Sequence, residues 1–141
     1  MIYHNIRRTS QRAFTLIELI VVIALVAVLA AVVAPNLLGK ASDANRKAAG
    51  IQLDKVSNAI ELYRLETGRY PERLRDLIEQ PSGLERWKGP YLKKQATLID
   101  PWGNDLAYNR QGQHGPFDLI SHGADGQSGG EGDDADIGHW E

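Results

Sequence analysis

A long apolar segment lies close to the N-terminus of the chain. Within residues 14–34, only Thr15 and Glu18 carry polar side chains. At a helical rise of about 1.5 Å per residue, this segment is long enough to cross a hydrocarbon core of about 30 Å. The pattern therefore predicts a membrane-spanning helix over residues 14–35.

A second helical pattern begins directly after Pro35. From residue 36 to residue 67 the apolar positions recur at close to a helical period, with charged side chains on the other faces. We predict an amphipathic helix over 36–67, ended by Gly68, which can adopt the left-handed cap. Because helix resumes at once, we expect Pro35 to bend the helix rather than to end it at the bilayer edge.

Residues 68–141 are predicted to form a small globular region. Apolar side chains on one face of residues 72–79 indicate a short helix, and the aromatic stretch around Tyr91 is expected to pack on the amphipathic helix. Residues 106–108 and 117–121 are rich in β-forming side chains and predict a hairpin. The expected fold class is α+β, with a long N-terminal helix packed on a small C-terminal sheet and loop region.

Composition and charge narrow the class of protein. The formal net charge is −2, and removal of residues 1–13 would take away three arginines and no acid, leaving −5. This charge gives no indication of nucleic-acid binding. The chain has no cysteine, so packing, a metal ion or oligomerisation must brace an exported domain.

The basic residues around the apolar segment indicate its orientation. Arg7, Arg8 and Arg12 precede it directly, which places the N-terminus in the cytoplasm by the positive-inside rule. Lys40 and Arg46 on the other side weaken this bias without reversing it. We therefore expect a single-pass membrane protein with its C-terminal region on the side of the membrane opposite to the cytoplasm.

Glu18 is an unusual residue within a membrane helix. An ionised carboxylate in such a position costs on the order of 2.5 to 3.5 kcal/mol unless a cation neutralises it. The nearest candidate cation is a free α-amino group on Phe14, which exists only if the chain is cut after Ala13. A charge pair between Glu18 and the Phe14 amine of a neighbouring subunit would set the register of assembly.

Residues 7–13, followed by Phe14-Thr15-Leu16-Ile17-Glu18, resemble the class III signal sequence of type IV pilins and type II secretion pseudopilins. The resemblance implies that a prepilin peptidase removes residues 1–13, cutting between Ala13 and Phe14, and methylates the new N-terminus. It also implies a type IV pilin-like fold and a location in the bacterial inner membrane, with the C-terminal domain in the periplasm. The family usually has glycine at the position of Ala13, and alanine is the smallest available change, so we expect cleavage.

The C-terminal residues 122–141 contain six acidic side chains and no Lys or Arg. This composition is typical of a disordered acidic tail. Ile137 and Trp140 near its end are apolar residues able to dock, which favours a glycine-rich acidic loop held at both ends. Such a loop is well explained by a bound cation.

Calcium is the cation that this loop suits, because it prefers six to eight hard oxygen ligands. Asp125, Asp133, Asp134 and Asp136 offer carboxylates, although their spacing fits no EF-hand. The imidazoles of this region raise zinc as a rival, but thiolate ligands are absent and oxygen-only coordination is favoured. Asp136 has the alternative role of bonding the local backbone, as aspartates in turns do.

Several further motifs resemble the major-pseudopilin family of type II secretion systems. They cover nearly the whole chain and include Asp100-Pro101-Trp102-Gly103-Asn104, Phe117-Asp118-Leu119-Ile120-Ser121, Gly123-Ala124-Asp125-Gly126 and Ala135-Asp136-Ile137. The resemblance implies calcium bound by Asp125, by one of Asp133 and Asp134, and by the backbone carbonyl of His122. It also implies that calcium is needed for filament assembly.

The expected function is that of a structural subunit and not of an enzyme. The resemblance implies a homopolymer, the periplasmic pseudopilus, whose growth drives export of folded proteins across the outer membrane. Its implied partners are minor pseudopilins, an inner-membrane assembly platform, the prepilin peptidase and the membrane.

Three alternatives remain open from the sequence. The first is a type IV pilin or a minor pseudopilin. The second is a monomeric, membrane-tethered calcium-binding module of the periplasm. The third alternative is an enzyme. It is the weakest of the three, because no nucleophile motif, phosphate loop or metal–histidine cluster accompanies the acidic residues.

Overall fold

The computed structural model of the chain describes residues 14–141, including all of their side chains except those of residues 34–38. The chain divides into two compact units, residues up to Gly39 and residues Lys40–Glu141, each of which is described by itself. The secondary structure comprises helix α1 (Leu16–Thr67), strands β1 (Ala107–Asn109), β2 (Asp118–Ser121) and β3 (Ile137–Gly138), and short 3-10 helices at Leu74–Leu77, Gln95–Leu98 and Gly132–Asp134.

The first unit contains the N-terminal part of α1. Within residues 14–141, Leu16–Val33 is the helical stretch that is long and apolar enough to span a membrane, with a mean hydropathy of 3.2 over 18 residues and none of them buried. The helix continues through Pro35, so the alternative that it ends there is wrong. The backbone is helical on both sides of Pro35, as the sequence predicted.

In the second unit, α1 buries one face in the core. Ala49, Leu53, Val56, Ile60 and Tyr63 recur at helical spacing and are each at most 1% exposed. The helix ends at Thr67, whose hydroxyl donates a hydrogen bond of 2.7 Å to the Tyr63 carbonyl. Gly68 follows with φ +80°, the left-handed conformation that terminates a helix. The predicted C-terminal boundary is confirmed.

The three strands form one antiparallel sheet in the order β1-β2-β3. Tyr108 pairs with Leu119 in the predicted hairpin, and Ser121 pairs with Ile137 on its other side. Leu119 and Ile137 are buried in the same core as the α1 residues. The hairpin is confirmed, and β3 is an addition that the sequence pattern did not predict.

The segment between α1 and the sheet is held to the helix by aromatic side chains. The rings of Tyr63 and Tyr91 pack edge to face with centroids 5.4 Å apart, which confirms the expected contact of this stretch with the helix. Trp87 Nε1 donates to the Asp76 carbonyl at 2.9 Å. The helix predicted over residues 72–79 is shorter than expected, a 3-10 helix at Leu74–Leu77.

Candidate functional site

The start of α1 is the first of two candidate sites. Thr15 Oγ1 accepts a hydrogen bond of 3.2 Å from the backbone N–H of Glu18, which satisfies a donor that the first helical turn leaves free. Phe14 is 80% exposed just before the helix. The cleavage predicted between Ala13 and Phe14 involves Ala13, which lies outside the described residues.

Glu18 occupies the first turn of α1, where the helix dipole favours a negative charge. Thr15 and Glu18 have the spacing of a capping box, in which a hydroxyl and an acid three residues later stabilise a helix start. Sequence reasoning missed this role, although the Thr-x-x-Glu pattern before an apolar run is its usual signal. The start of α1 is therefore a favourable position for the Glu18 carboxylate, even without a partner subunit.

The second candidate site is the acidic loop 122–136. Its two limbs approach each other closely, because the Ala124 N–H donates a hydrogen bond of 2.9 Å to the Asp133 carbonyl. A Cβ added to Gly123 would lie 2.4 Å from the same carbonyl oxygen. Gly123 also has φ +65°, so both its conformation and its neighbours require glycine. The structure therefore brings the limb bearing Asp125 against the limb bearing Asp133 and Asp134.

Asp136 closes the loop from within. One carboxylate oxygen lies 2.9 Å from His122 Nδ1, and the other accepts a hydrogen bond of 3.0 Å from the Gly129 N–H. Partial burial alone would raise the pKa of Asp136, but the hydrogen bonds from His122 and Gly129 outweigh it and lower this pKa. Asp136 therefore bonds the local structure, as the alternative role predicted. The imidazole of His122 is its side-chain partner.

The loop is also bound to α1. Arg46 Nη1 donates to the Gly132 carbonyl at 2.8 Å and to the Ala135 carbonyl at 3.3 Å. Ser42 Oγ donates to the carboxylate of Asp133. Both helix residues lie on the polar side of the amphipathic pattern, where the sequence carries no signal for a partner some 90 residues away. The helix thus fixes the position of the limb that carries the paired aspartates.

A turn at residues 100–104 supports the base of the loop. The Asn104 side chain donates a hydrogen bond of 2.7 Å from Nδ2 to the Gly123 carbonyl. A Cβ added to Gly126 would lie 2.9 Å from Asn104 Oδ1, so the limb bearing Asp125 passes close against this amide. The turn at residues 100–104 therefore holds the first residues of the loop in place.

The donors available for a metal ion in the loop are hard oxygens. Asp125 is exposed, and its Oδ1 accepts a hydrogen bond of 3.0 Å from the Gln127 N–H. Across residues 14–141, no group of three or more His, Asp or Glu side chains converges in a way that could hold a metal ion. A cation here would therefore take some ligands from main-chain carbonyls. The candidate set of Asp125, Asp133 or Asp134 and the His122 carbonyl already has this composition, which suits calcium better than zinc.

The fold is that of a type IV pilin-like subunit. It has a long helix with an apolar start, and a three-stranded sheet and a closed acidic loop follow the helix along the chain. Residues 8–34 match the family model of the prokaryotic N-terminal methylation motif. Residues 36–140 match that of type II secretion system protein G, and the chain belongs to this family of structural pseudopilins.

Curated relatives support this assignment over almost the full length. The type II secretion system core protein G of Pseudomonas aeruginosa is 39% identical over 142 residues, covering 96% of this chain and 99% of the relative. The protein of the same description from Vibrio cholerae is 40% identical and covers 93% of this chain and 92% of the relative.

A solved structure shares the fold. The crystal structure of the major pseudopilin from the type 2 secretion system of enterohaemorrhagic Escherichia coli aligns with a TM-score of 0.61 and 32% identity. The alignment covers 75% of this chain and 95% of that one. The methylation motif and the apolar helix make this chain a membrane-anchored component of a type II secretion system.

Proposed function

We propose that this chain is the major structural subunit of a type II secretion pseudopilus. Its subunits polymerise in the periplasm, and growth of the filament drives folded proteins across the outer membrane. The observation that carries the proposal is the helical stretch Leu16–Val33, which is apolar throughout except for Glu18 and is not buried within its own chain. Such a surface requires either lipid or other copies of the helix to cover it.

The helix serves first as an anchor and then as an assembly element. Before processing, Leu16–Val33 spans the inner membrane once, with the N-terminus in the cytoplasm and residues Lys40–Glu141 in the periplasm. The prepilin peptidase then cuts between Ala13 and Phe14 and methylates Phe14. The new amine pairs with Glu18 of an adjacent subunit, which offsets the cost of a carboxylate in an apolar bundle.

Calcium binds the acidic loop and completes its shape. Its ligands are the Asp125 carboxylate, one of the carboxylates of Asp133 and Asp134, and the His122 carbonyl. The two limbs of the loop approach each other closely at Gly123 and Asp133, and each limb carries oxygen ligands. This arrangement supports the proposed calcium site. A bound cation offsets the repulsion among these acids and makes the loop rigid enough for a neighbouring subunit to recognise.

Assembly also involves other components of the secretion system. Minor pseudopilins and the inner-membrane assembly platform are the proposed partners, and contacts that do not close on themselves extend the polymer as a helix.

Chemical crosslinking tests the proposal against a monomeric, membrane-tethered module. The full chain, expressed with its secretion system and treated with an amine-reactive crosslinker, is expected to give a ladder of multimers. A single monomer band under conditions that crosslink a known membrane oligomer contradicts the proposal.

A further inference from the structure

A basic groove lies on the surface of the unit Lys40–Glu141. It consists of two adjoining depressions of about 320 and 460 Å³, and Lys55 and Thr97 line both. Ile51 on α1 lines the first depression, and Lys93 and Lys94 line the second. We call these five residues the basic groove. It is shared between one face of α1 and the segment that follows Tyr91.

The walls of the basic groove are fixed by contacts with the rest of the unit. Gln52 Nε2 on α1 donates a hydrogen bond of 2.7 Å to the Thr97 carbonyl. Leu92 and Leu98, on either side of the two lysines, are only 3% and 9% exposed. Lys93 and Lys94 are therefore presented from a short segment with a buried anchor at each end, so that little ordering is needed when a partner binds.

The groove suits an acidic partner with some apolar surface. The side chains of Lys55, Lys93 and Lys94 are exposed, and in the part of the chain that the structure describes none of them forms a salt bridge with an acid. Residues 86–99 contain four basic side chains and no acid. Ile51 is 62% exposed beside them. Unpaired lysines around an exposed isoleucine form a surface that attracts carboxylates and can bury apolar atoms.

The acidic loop of a second copy has the matching charge. Residues 122–136 carry five acids and no Lys or Arg. Glu131 is exposed and, within residues 14–141, belongs to no salt bridge. Glu131 is also not among the candidate calcium ligands, so its charge stays available to a neighbouring subunit when calcium is bound to the loop.

The loop and the groove of one copy contact α1 at different positions along the helix. The loop is held to α1 at Ser42 and Arg46, whereas Lys55 marks the helical wall of the groove. At about 1.5 Å per residue, Ser42 and Lys55 are about 20 Å apart along the helix. A parallel neighbour displaced by that distance brings its loop to the groove, and repetition of the same step extends a filament without closing it.

We infer that the basic groove of one subunit binds the acidic loop of a neighbouring subunit, with Lys94 and Glu131 facing each other. The inference rests on the proposed function and specifies one of the contacts through which the subunits polymerise. Charge pairing at this surface acts together with the pair between Glu18 and the Phe14 amine in setting the register between copies, while the apolar helices supply most of the buried area.

Paired cysteines test the contact in the full chain, which has no cysteine of its own. Lys94→Cys and Glu131→Cys are placed on separate, differently tagged chains and co-expressed with the secretion system, so that a disulfide between tags reports contact between copies. We expect a disulfide-linked heterodimer in the oxidising periplasm. Arg75→Cys co-expressed with Glu131→Cys is the matched control, since Arg75 is exposed and lies outside the groove.

The outcomes separate this inference from the proposed function. If the amine reagent gives a ladder but Lys94→Cys and Glu131→Cys form no more heterodimer than the Arg75→Cys control, the inference is wrong. The proposed filament is then unaffected. Loss of both the ladder and the heterodimer overturns both.

A charge exchange gives an independent test. Lys94→Glu is expected to reduce the amount of filament about fivefold, the effect of about 1 kcal/mol per contact. Combining it with Glu131→Lys in the same chain restores an opposite-charge pair at every interface and is expected to recover most of the loss. A double variant that assembles no better than Lys94→Glu alone contradicts the contact.

Discussion

The Asp100 carboxylate accepts a hydrogen bond of 2.7 Å from Ser121 Oγ, and the two residues are only 5% and 0% exposed. The other carboxylate oxygen accepts hydrogen bonds from the backbone N–H groups of Trp102 at 3.0 Å and Asn104 at 2.8 Å. One buried carboxylate thus joins the turn at residues 100–104 to the last residue of β2, directly before the acidic loop.

Ser121→Ala should destabilise the unit Lys40–Glu141, because it removes a partner from a buried carboxylate. We expect a loss of about 1.5 to 3 kcal/mol in the free energy of unfolding. Near-UV circular dichroism of the detergent-solubilised full chain during denaturation measures it, since all three tryptophans lie in this unit. Ser82→Ala, at an exposed position, is the control, and an equal effect of both changes would argue against a special role for Ser121.

Asp125→Ala tests the calcium proposal. Wild-type protein should melt at a higher temperature in calcium than in chelator, because a ligand that binds the folded state stabilises it by mass action. The variant should lose this difference while melting close to wild type in chelator. An equal fall in both conditions would mean that Asp125 has a purely structural role.

His122→Ala is the complementary change, because it removes the imidazole and keeps the backbone carbonyl. Loss of the contact with Asp136 should lower the melting temperature in chelator as well as in calcium. The increase on adding calcium should persist, since the proposed ligand is the carbonyl. A variant that no longer responds to calcium would indicate that the imidazole matters for the ion.

Glu18→Ala tests the charge pair proposed for assembly. The variant should insert in the membrane and be processed, since the rest of the apolar run is unchanged, but it should give several-fold less filament. Sheared filament quantified by immunoblot measures the effect, with Glu79→Ala as the control at an exposed acid. Normal filament yield from Glu18→Ala would remove the charge-pairing argument.

Asp118 makes part of the stability dependent on pH. Burial alone would raise its pKa, but hydrogen bonds from the backbone N–H groups of Gln113 and His114 outweigh this and lower the pKa below the ordinary value of 3.8. A lowered native pKa stabilises the fold above pH 3.8, and this contribution is lost as the pH falls through the native pKa.

Asp118→Asn should therefore melt at a lower temperature than wild type at pH 7, and the difference should shrink below about pH 4. Thermal melts across this range measure it. Asp54→Asn, at an exposed helix position, serves as the control. A difference that stays constant from pH 7 to about pH 2 would contradict the assigned role of the ionised carboxylate.

Long periodic patterns in the sequence predicted the main elements of the fold. The amphipathic period and the cap at Gly68 gave the C-terminal end of α1, and the β-forming runs gave the hairpin. Strand β3 was missed because Ile137–Gly138 is only two residues long and is defined by its pairing with β2. A strand of this length has no alternation to detect.

The candidate loop was located from its acids and glycines, but its bracing was not. Composition shows that residues 122–136 are acidic, whereas the contacts from Arg46 and Asn104 join positions far apart in the sequence. Nothing in a single sequence pairs such residues before the fold is known. The role of Asp136 was foreseen as an alternative because aspartate commonly bonds the backbone in turns.

In the proposed assembly, removal of residues 1–13 gives the subunit the Phe14 amine that it needs in order to polymerise through its apolar helix. Intact mass spectrometry of the subunit recovered from sheared, sedimented filaments tests it most directly. We expect the mass of residues 14–141 plus one methyl group. Recovery of the chain with residues 1–13 still attached, and only in the non-sedimenting fraction, would contradict it.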